Sequence, residues 1–295
     1  MSLSLKGSLA RFELTLHRTT KISVKNMIEL FIDLLKLKPY NRLVKYTNHM
    51  NLPASGIDAG QKNEISSKQL LLAIIFPVFT IFALGIDSVS FRDTYFDGRQ
   101  LTNFLVLGYF LLMYYTSGSY LRKLMFVMIF LSYIGELLFC KLLGMYAYRT
   151  EFIPLYVPFG HAIVYASGYI FAKTTFALQI EKRLRLIFAL SFVVIFLYSG
   201  LFLNDLFTLI FGTVFFALLY RKRWENMYYF IALCVISIEL TGTYFKCWTW
   251  VPNIFGYLPA ANPPLGAIFF YAGGDVLLAK IVTSWEKRTS AGYPF

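Results

Sequence analysis

Residues 158–171 read PFGHAIVYASGYIF, and residues 264–277 read PLGAIFFYAGGDVL. At a constant offset of 106, Pro158 meets Pro264, Gly160 meets Gly266, Tyr165 meets Tyr271, Ala166 meets Ala272 and Gly168 meets Gly274. Upstream, Glu136 pairs with Glu239 at an offset of 103, because the later loop holds three extra residues. Between glutamate and proline, GMYAY (144–148) and CWTW (247–250) each carry two aromatics separated by one residue. Gly108 and Gly212 correspond more loosely. Phe, Leu and Ala match easily between any two apolar helices. Proline, glycine and a glutamate matching together point to an internal duplication.

The surrounding chain sets the solvent. Of 295 residues, 57% are hydrophobic and 19% aromatic, and only 15% are charged, against about 25% in an ordinary globular chain. This excludes a soluble enzyme, a secreted disulfide scaffold and a disordered tail. A membrane-crossing helix needs about 20 mostly apolar residues. Eight segments qualify: 68–86, 102–119, 124–143, 156–178, 186–203, 206–220, 227–245 and 265–283. Only Asn204 and Asp205 separate the fifth from the sixth, which predicts a tight hairpin rather than one overlong helix.

Loop charge gives the orientation. Basic residues follow span 2 (Arg122, Lys123), span 4 (Lys182, Arg183, Arg185), span 6 (Arg221, Lys222, Arg223) and span 8 (Lys287, Arg288). The alternate connections are neutral or slightly acidic, with Lys246 as a mild exception. The positive-inside rule then places both termini in the cytoplasm. Spans four apart enter in the same direction, so the halves are parallel repeats about an axis along the membrane normal. The expected fold is an all-α polytopic membrane protein. About eight transmembrane helices form two parallel four-helix repeats, 68–178 and 186–283, after a cytoplasmic amphipathic segment. A basic region, 1–67, precedes them and a short tail, 284–295, follows. A bacterial inner membrane is the expected location.

The net charge of +12 does not indicate nucleic acid. The first 69 residues hold 11 Lys/Arg against 5 Asp/Glu, and most of the remaining excess sits on cytoplasmic loops. Such charge orients the chain and attracts anionic membrane lipids. Residues 1–22 are basic and rich in Ser and Thr, without the apolar stretch of a secretory signal. Residues 26–38 place Met27, Leu30, Phe31, Leu34 and Leu35 on one helical face, which suits an interfacial helix or one packed on the loops. Residues 51–66 read as a linker. Cys140, Cys234 and Cys247 lack ligand spacing, and the histidines are only His17, His49 and His161, so no metal and no cofactor is expected.

Scarce intramembrane charge marks the candidate site. Glu136, Glu239, Asp275 and Lys173 fall inside predicted spans, where each needs a partner or a polar cavity. One reading is a polar network that locks helices together. The other is a site between the two halves. Both glutamates lead into aromatic outer loops carrying Tyr146, Tyr148, Trp248, Trp250 and Tyr257, which return through YVPFGH (156–161) and NPPLG (262–266). A carboxyl desolvated in an aromatic pocket keeps its proton near neutral pH and serves as a general acid. A second one nearby serves as base, and aromatic faces stabilise a cation between them. Glu136, Glu239, Asp275 and His161 are the candidate catalytic residues. Tyr146, Tyr148, Tyr165, Trp248, Trp250, Asn262 and Tyr271 are the candidate substrate-binding residues.

Glu136 followed by LGMYAYRTEFIPLYVPFGH (143–161) resembles the Glu, Gly-x-Tyr-x-Tyr, Val-Pro pattern of the integral-membrane carotenoid hydratase family. The resemblance covers about 25 residues. The Glu-to-Gly spacing is shorter here, and Phe159, Gly160 and His161 replace an expected apolar-Trp element. It implies addition of water to a polyene end, or a related isoprenoid hydratase- or cyclase-like lyase or isomerase reaction. Glu136 would then be the proton donor, with Tyr146 and Tyr148 lining the pocket. A small-solute or proton-coupled transporter and a non-catalytic membrane subunit are the competing readings. Membrane lipids and a lipophilic small molecule are the expected partners.

Overall fold

The computed structural model describes residues 65–290, with side chains to Arg288. The readings for 1–22 and 26–38, and nearly all of the 51–66 linker, lie outside the described residues. The chain is mostly helical. A helix lies over each of the eight apolar segments. They are α1 (Ser67–Ile86), α3 (Arg99–Thr116), α4 (Ser119–Glu136), α5 (Tyr156–Ala172), α7 (Glu181–Phe202), α8 (Leu206–Arg221), α9 (Asn226–Tyr244) and α10 (Ile268–Ser290). Two short helices, α2 (Val89–Thr94) and α6 (Thr175–Gln179), fill connections. A π-helical turn, Leu137–Leu142, prolongs α4, and a 3₁₀ turn, Leu265–Ala267, leads into α10. With these turns counted, five helices among the described residues are long and apolar enough to cross a membrane: α1, α4, α7, α9 and α10.

Local chemistry sets the helix ends. Ser66 and Gln69 form a reciprocal capping box at the start of α1. Asn204 takes a positive φ, and the Asp205 side chain caps Thr208 N at 2.9 Å, so α7 and α8 form a hairpin. The fourth predicted span runs too long. Its helix ends before Lys173, because Thr174 turns away to cap α6. Lys173 therefore sits at a helix end, over the Tyr169 ring, and not within a span.

The helices differ widely in how far they are enclosed. α5 is enclosed by α1, α3, α4 and α9, and twelve of its seventeen residues are buried. Gly168 lets α5 approach α9 closely, since a Cβ there would stand 2.7 Å from Ile231 Cα. The opposite case is α7, which buries only Phe192, Phe196 and Ser199. On α1, Leu71, Ile74, Val78, Ile81 and Phe82 form an exposed stripe. Such surface suits lipid and is a liability in water.

Two small strand pairs depart from the purely helical expectation. β1 (Tyr146–Tyr148) pairs antiparallel with β2 (Trp248–Trp250), with Ala147 opposite Thr249 at the centre. Arg149 N to Cys247 O (2.8 Å) and Val251 N to Met145 O (3.0 Å) extend the ladder. β3 (Asn253–Ile254) and β4 (Leu258–Pro259) form a hairpin around Gly256, whose φ of +80° favours glycine. The two aromatic motifs read as separate outer loops are thus one ribbon.

Candidate functional site

Two carboxylates, each held by three aromatic side chains, face one cavity between α4, α5, α9 and α10. Glu136 ends α4, and the π turn, together with Gly144 at φ +59°, swings the chain back so that β1 passes over it. Tyr146 OH and Tyr148 OH both donate to Glu136 Oε2 at 2.7 Å. His161 Nε2, on the first turns of α5, lies 3.0 Å from Oε1. The second set repeats this with different chemistry. Trp248 Nε1 (2.9 Å) and Trp250 Nε1 (3.1 Å) donate to Glu239 Oε2, and Tyr271 OH donates to Oε1 at 2.8 Å.

Alternation along a strand makes this possible. Residues i and i+2 point to the same face, so each three-residue strand directs two aromatics at its own glutamate. The antiparallel register brings Tyr146 against Trp250 at 4.7 Å and Tyr148 against Trp248 at 6.1 Å between ring centroids. Burial, followed by the nearby Glu136 charge, pushes the Tyr146 and Tyr148 hydroxyls well above the usual phenol range. Both therefore remain hydrogen-bond donors at any physiological pH. Gly242 is required for the second set, because a Cβ there would overlap Trp248 Cη2 at 1.9 Å.

The cavity has a volume of about 390 Å³, within the range of small-molecule sites. On α4 its lining runs from Glu136 down to Met128, and on α9 from Glu239 to Ile231. Eight residues of helix amount to roughly 12 Å, so the cavity is a slot along the bundle axis. Apolar side chains make most of its wall, including Leu131, Phe139, Val164, Phe269 and Phe270. Gly273 and Gly274 contribute open space, with nothing within 4 Å of an added Cβ. Ile134, Leu138 and Leu277 line the slot and are also exposed on the bundle surface. The slot thus opens sideways between α4 and α10.

A second chamber of about 40 Å³ adjoins it on the ribbon side, bounded by Glu136, His161, Glu239, Trp248 and Tyr271 among others. It has room for about three waters by the usual requirement of ~10–15 Å³ each, with polar partners on its walls.

Most predicted site residues converge here. Glu136, Tyr146, His161, Tyr165, Glu239, Trp250, Tyr271 and Asp275 line the slot, whereas Tyr148 and Trp248 line only the small chamber. Asn262 lies outside both. Its Oδ1 accepts the Trp250 backbone N–H at 3.0 Å and so positions that indole. Asp275 faces the slot from α10, only 2% exposed, and its Oδ2 has no hydrogen-bond partner among the described residues.

Sequence reading missed a polar cluster beside the ribbon. The fully buried Asp87 accepts from Arg149 Nη2 (2.7 Å) and Tyr156 OH (2.8 Å), with Arg99 Nε at 3.5 Å. Arg149 also reaches Asp97 at 2.6 Å. Asn103 Oδ1 accepts Tyr156 N at 2.9 Å. Together these groups fix the start of α5, and with it His161. At the start of α10, Asp205 bonds Thr208, whose hydroxyl accepts from Gly266 N at 2.9 Å. Buried aspartates following α1 and α7 thus anchor the starts of α5 and α10.

Among the described residues, no group of three or more His, Cys, Asp or Glu side chains is gathered as metal ligands would be. No protein-family model, curated protein or solved structure matches the chain.

Proposed function

We propose that this chain is an intramembrane enzyme that performs acid–base chemistry on a lipophilic substrate of isoprenoid or lipid class. In this reading eight helices cross the bilayer as two parallel repeats, with both termini cytoplasmic, in a bacterial inner membrane. Support for the repeats comes from the matched triads on Glu136 and Glu239 and from the two-fold character of the β1–β2 ribbon.

One observation carries the functional reading: two caged carboxylates line a single apolar slot, whose exposed apolar rim in this reading faces lipid. Two carboxyl groups facing one apolar space can divide the roles of proton donor and proton acceptor. Indole N–H groups only donate, so Glu239 Oε2, bound by two of them, serves as an acceptor. Glu136 Oε1 faces His161 Nε2, a ring nitrogen that can either donate or accept, so Glu136 is the carboxyl assigned to deliver the proton.

The resemblance of residues 136–161 to carotenoid hydratases suggests the step. Glu136 transfers its proton to one carbon of a double bond, leaving a carbocation on the other. The Tyr146 and Trp250 ring faces stabilise that cation. A water in the small chamber adds to the cation, and its released proton passes to Glu239. Return of that proton from Glu239 to Glu136 through water in the small chamber, which both carboxyl groups line, restores the starting state. The product is an alcohol, with nothing oxidised or reduced.

The test is expression of the wild type, Glu136→Gln and Glu239→Gln, followed by extraction of co-purifying lipids. A bound isoprenoid or lipid, hydrated by the wild type and unaltered in both variants, is the expected result. Identical lipids in all three, with solute uptake into vesicles, would replace the enzyme by a transporter. Normal folding without ligand or uptake would leave a structural subunit.

A further inference from the structure

The acid–base scheme uses the ribbon end of the slot and leaves Asp275 unexplained. Asp275 lies four residues beyond Tyr271 on α10, about 6 Å farther along the axis. It is buried, it makes no ion pair among the described residues, and its Oδ2 has no partner. Buried polar groups without partners are uncommon, because each forfeits its hydration. Tyr165, which lines the same stretch of wall, lies within electrostatic reach of it.

We infer that Asp275 docks the polar end of the ligand, so that the slot takes a long apolar molecule carrying a hydroxyl group at its inner end. This rests on the reading of the slot as a lipophilic site. A hydroxyl both donates and accepts, so it satisfies the Asp275 carboxyl in either protonation state. The route of entry favours a neutral head group over a cationic one. A ligand passing Ile134, Leu138 and Leu277 from the lipid side crosses apolar surface, where a charged group pays a large desolvation cost. With the hydroxyl held at Asp275, the apolar remainder extends toward Glu136 and Glu239. Asp275 thus sets which end of the molecule reacts.

The probes are farnesol and farnesene, a terpene alcohol and its hydrocarbon counterpart, offered together to the full chain in detergent. Native mass spectrometry reads both adducts in one spectrum. Wild type is expected to favour farnesol about tenfold, the scale of one hydrogen bond to a buried group. Asp275→Asn keeps a donor and an acceptor and should hold that ratio within about threefold. Asp275→Leu keeps the branched shape, has the slot to take its larger methyls and removes an unpaired polar group, so it should fold while its ratio falls to about one. Equal adducts in wild type, or an undiminished preference in Asp275→Leu, would overturn the docking role and leave the lipophilic site standing. Absence of both adducts in every variant would overturn the lipophilic site and the docking role together.

Discussion

His161 stacks on Tyr271 with ring centroids 5.1 Å apart and planes 13° from parallel, and each ring bonds a different carboxylate. The contact joins α5 to α10 where the two sets of donors meet. Glu136 and Glu239 are therefore coupled through touching side chains, and changes at one should register at the other.

The first prediction separates charge from scaffolding. In Glu239→Gln the amide oxygen can accept both indoles while its nitrogen donates to Tyr271, so the fold should persist. Turnover should fall by 10² or more, the usual contribution of a general acid or base. Glu239→Ala strands two buried indole N–H groups and should cost about 2–6 kcal/mol, at about 1–3 for each. Unfolding temperatures in detergent, measured beside product formation, check both. Equal destabilisation by Gln and Ala would contradict the assigned hydrogen bonds.

Glycines paired by sequence should behave differently. Gly168→Ala puts a Cβ 2.7 Å from Ile231 Cα and 2.8 Å from Ile231 N, against backbone that cannot yield. A loss of about 1–3 kcal/mol is expected, as for other overpacked sites. Gly274→Ala meets nothing within 4 Å and should leave stability unchanged or slightly raised. Gly274→Phe should occupy the slot and abolish ligand adducts without unfolding the protein. Thermal unfolding with adduct counting tests all three.

Much of the site was legible because its residues recur in two similar stretches of sequence. The two glutamates, the paired aromatics and the proline segments stood out at constant offsets. Pairing of β1 with β2 was not legible, since three-residue strands about a hundred positions apart leave no periodicity to read. The Asp87 cluster was missed for another reason. Asp87, Asp97 and Arg99 looked like ordinary loop charges, and Arg149 lies 62 residues from Asp87 in sequence. Span 4 was drawn too long because hydropathy does not register the Thr174 cap. That Asp275 lacks a partner is a property of three-dimensional packing alone.

The Asp87 cluster should matter for folding more than for chemistry. Arg149 is nearly buried, and removing it leaves Asp87 with Tyr156 and a distant Arg99. Arg149→Met should destabilise by about 3–5 kcal/mol, the usual cost of orphaning a buried charge. Adding Asp87→Asn should recover part of this in a double-mutant cycle. Strict additivity in detergent unfolding would show that the pair is not coupled.

Acid should weaken the outer arm of the same cluster. The hydrogen bond from Arg149 holds Asp97 below its usual value of 3.8, with burial opposing. A depressed carboxylate stabilises the fold fully above its unfolded pKa and loses that contribution as pH falls through its folded pKa. The difference in unfolding temperature between wild type and Asp97→Asn should therefore be flat from neutral pH to about 5 and shrink below about 4. Because Asp97 is half exposed, the difference should be small throughout. A difference that grows on acidification would contradict the assignment.

The sideways opening of the slot between α4 and α10 carries a kinetic consequence. A substrate that enters there is drawn from the two-dimensional pool of the leaflet, and its aqueous concentration does not govern encounter. Rates should scale with mole fraction in the membrane, so adding inert detergent or lipid at fixed total substrate dilutes that pool and slows turnover. An apparent KM expressed per litre would then vary with the amphiphile present. Expressed per mole of amphiphile, it becomes a property of the protein.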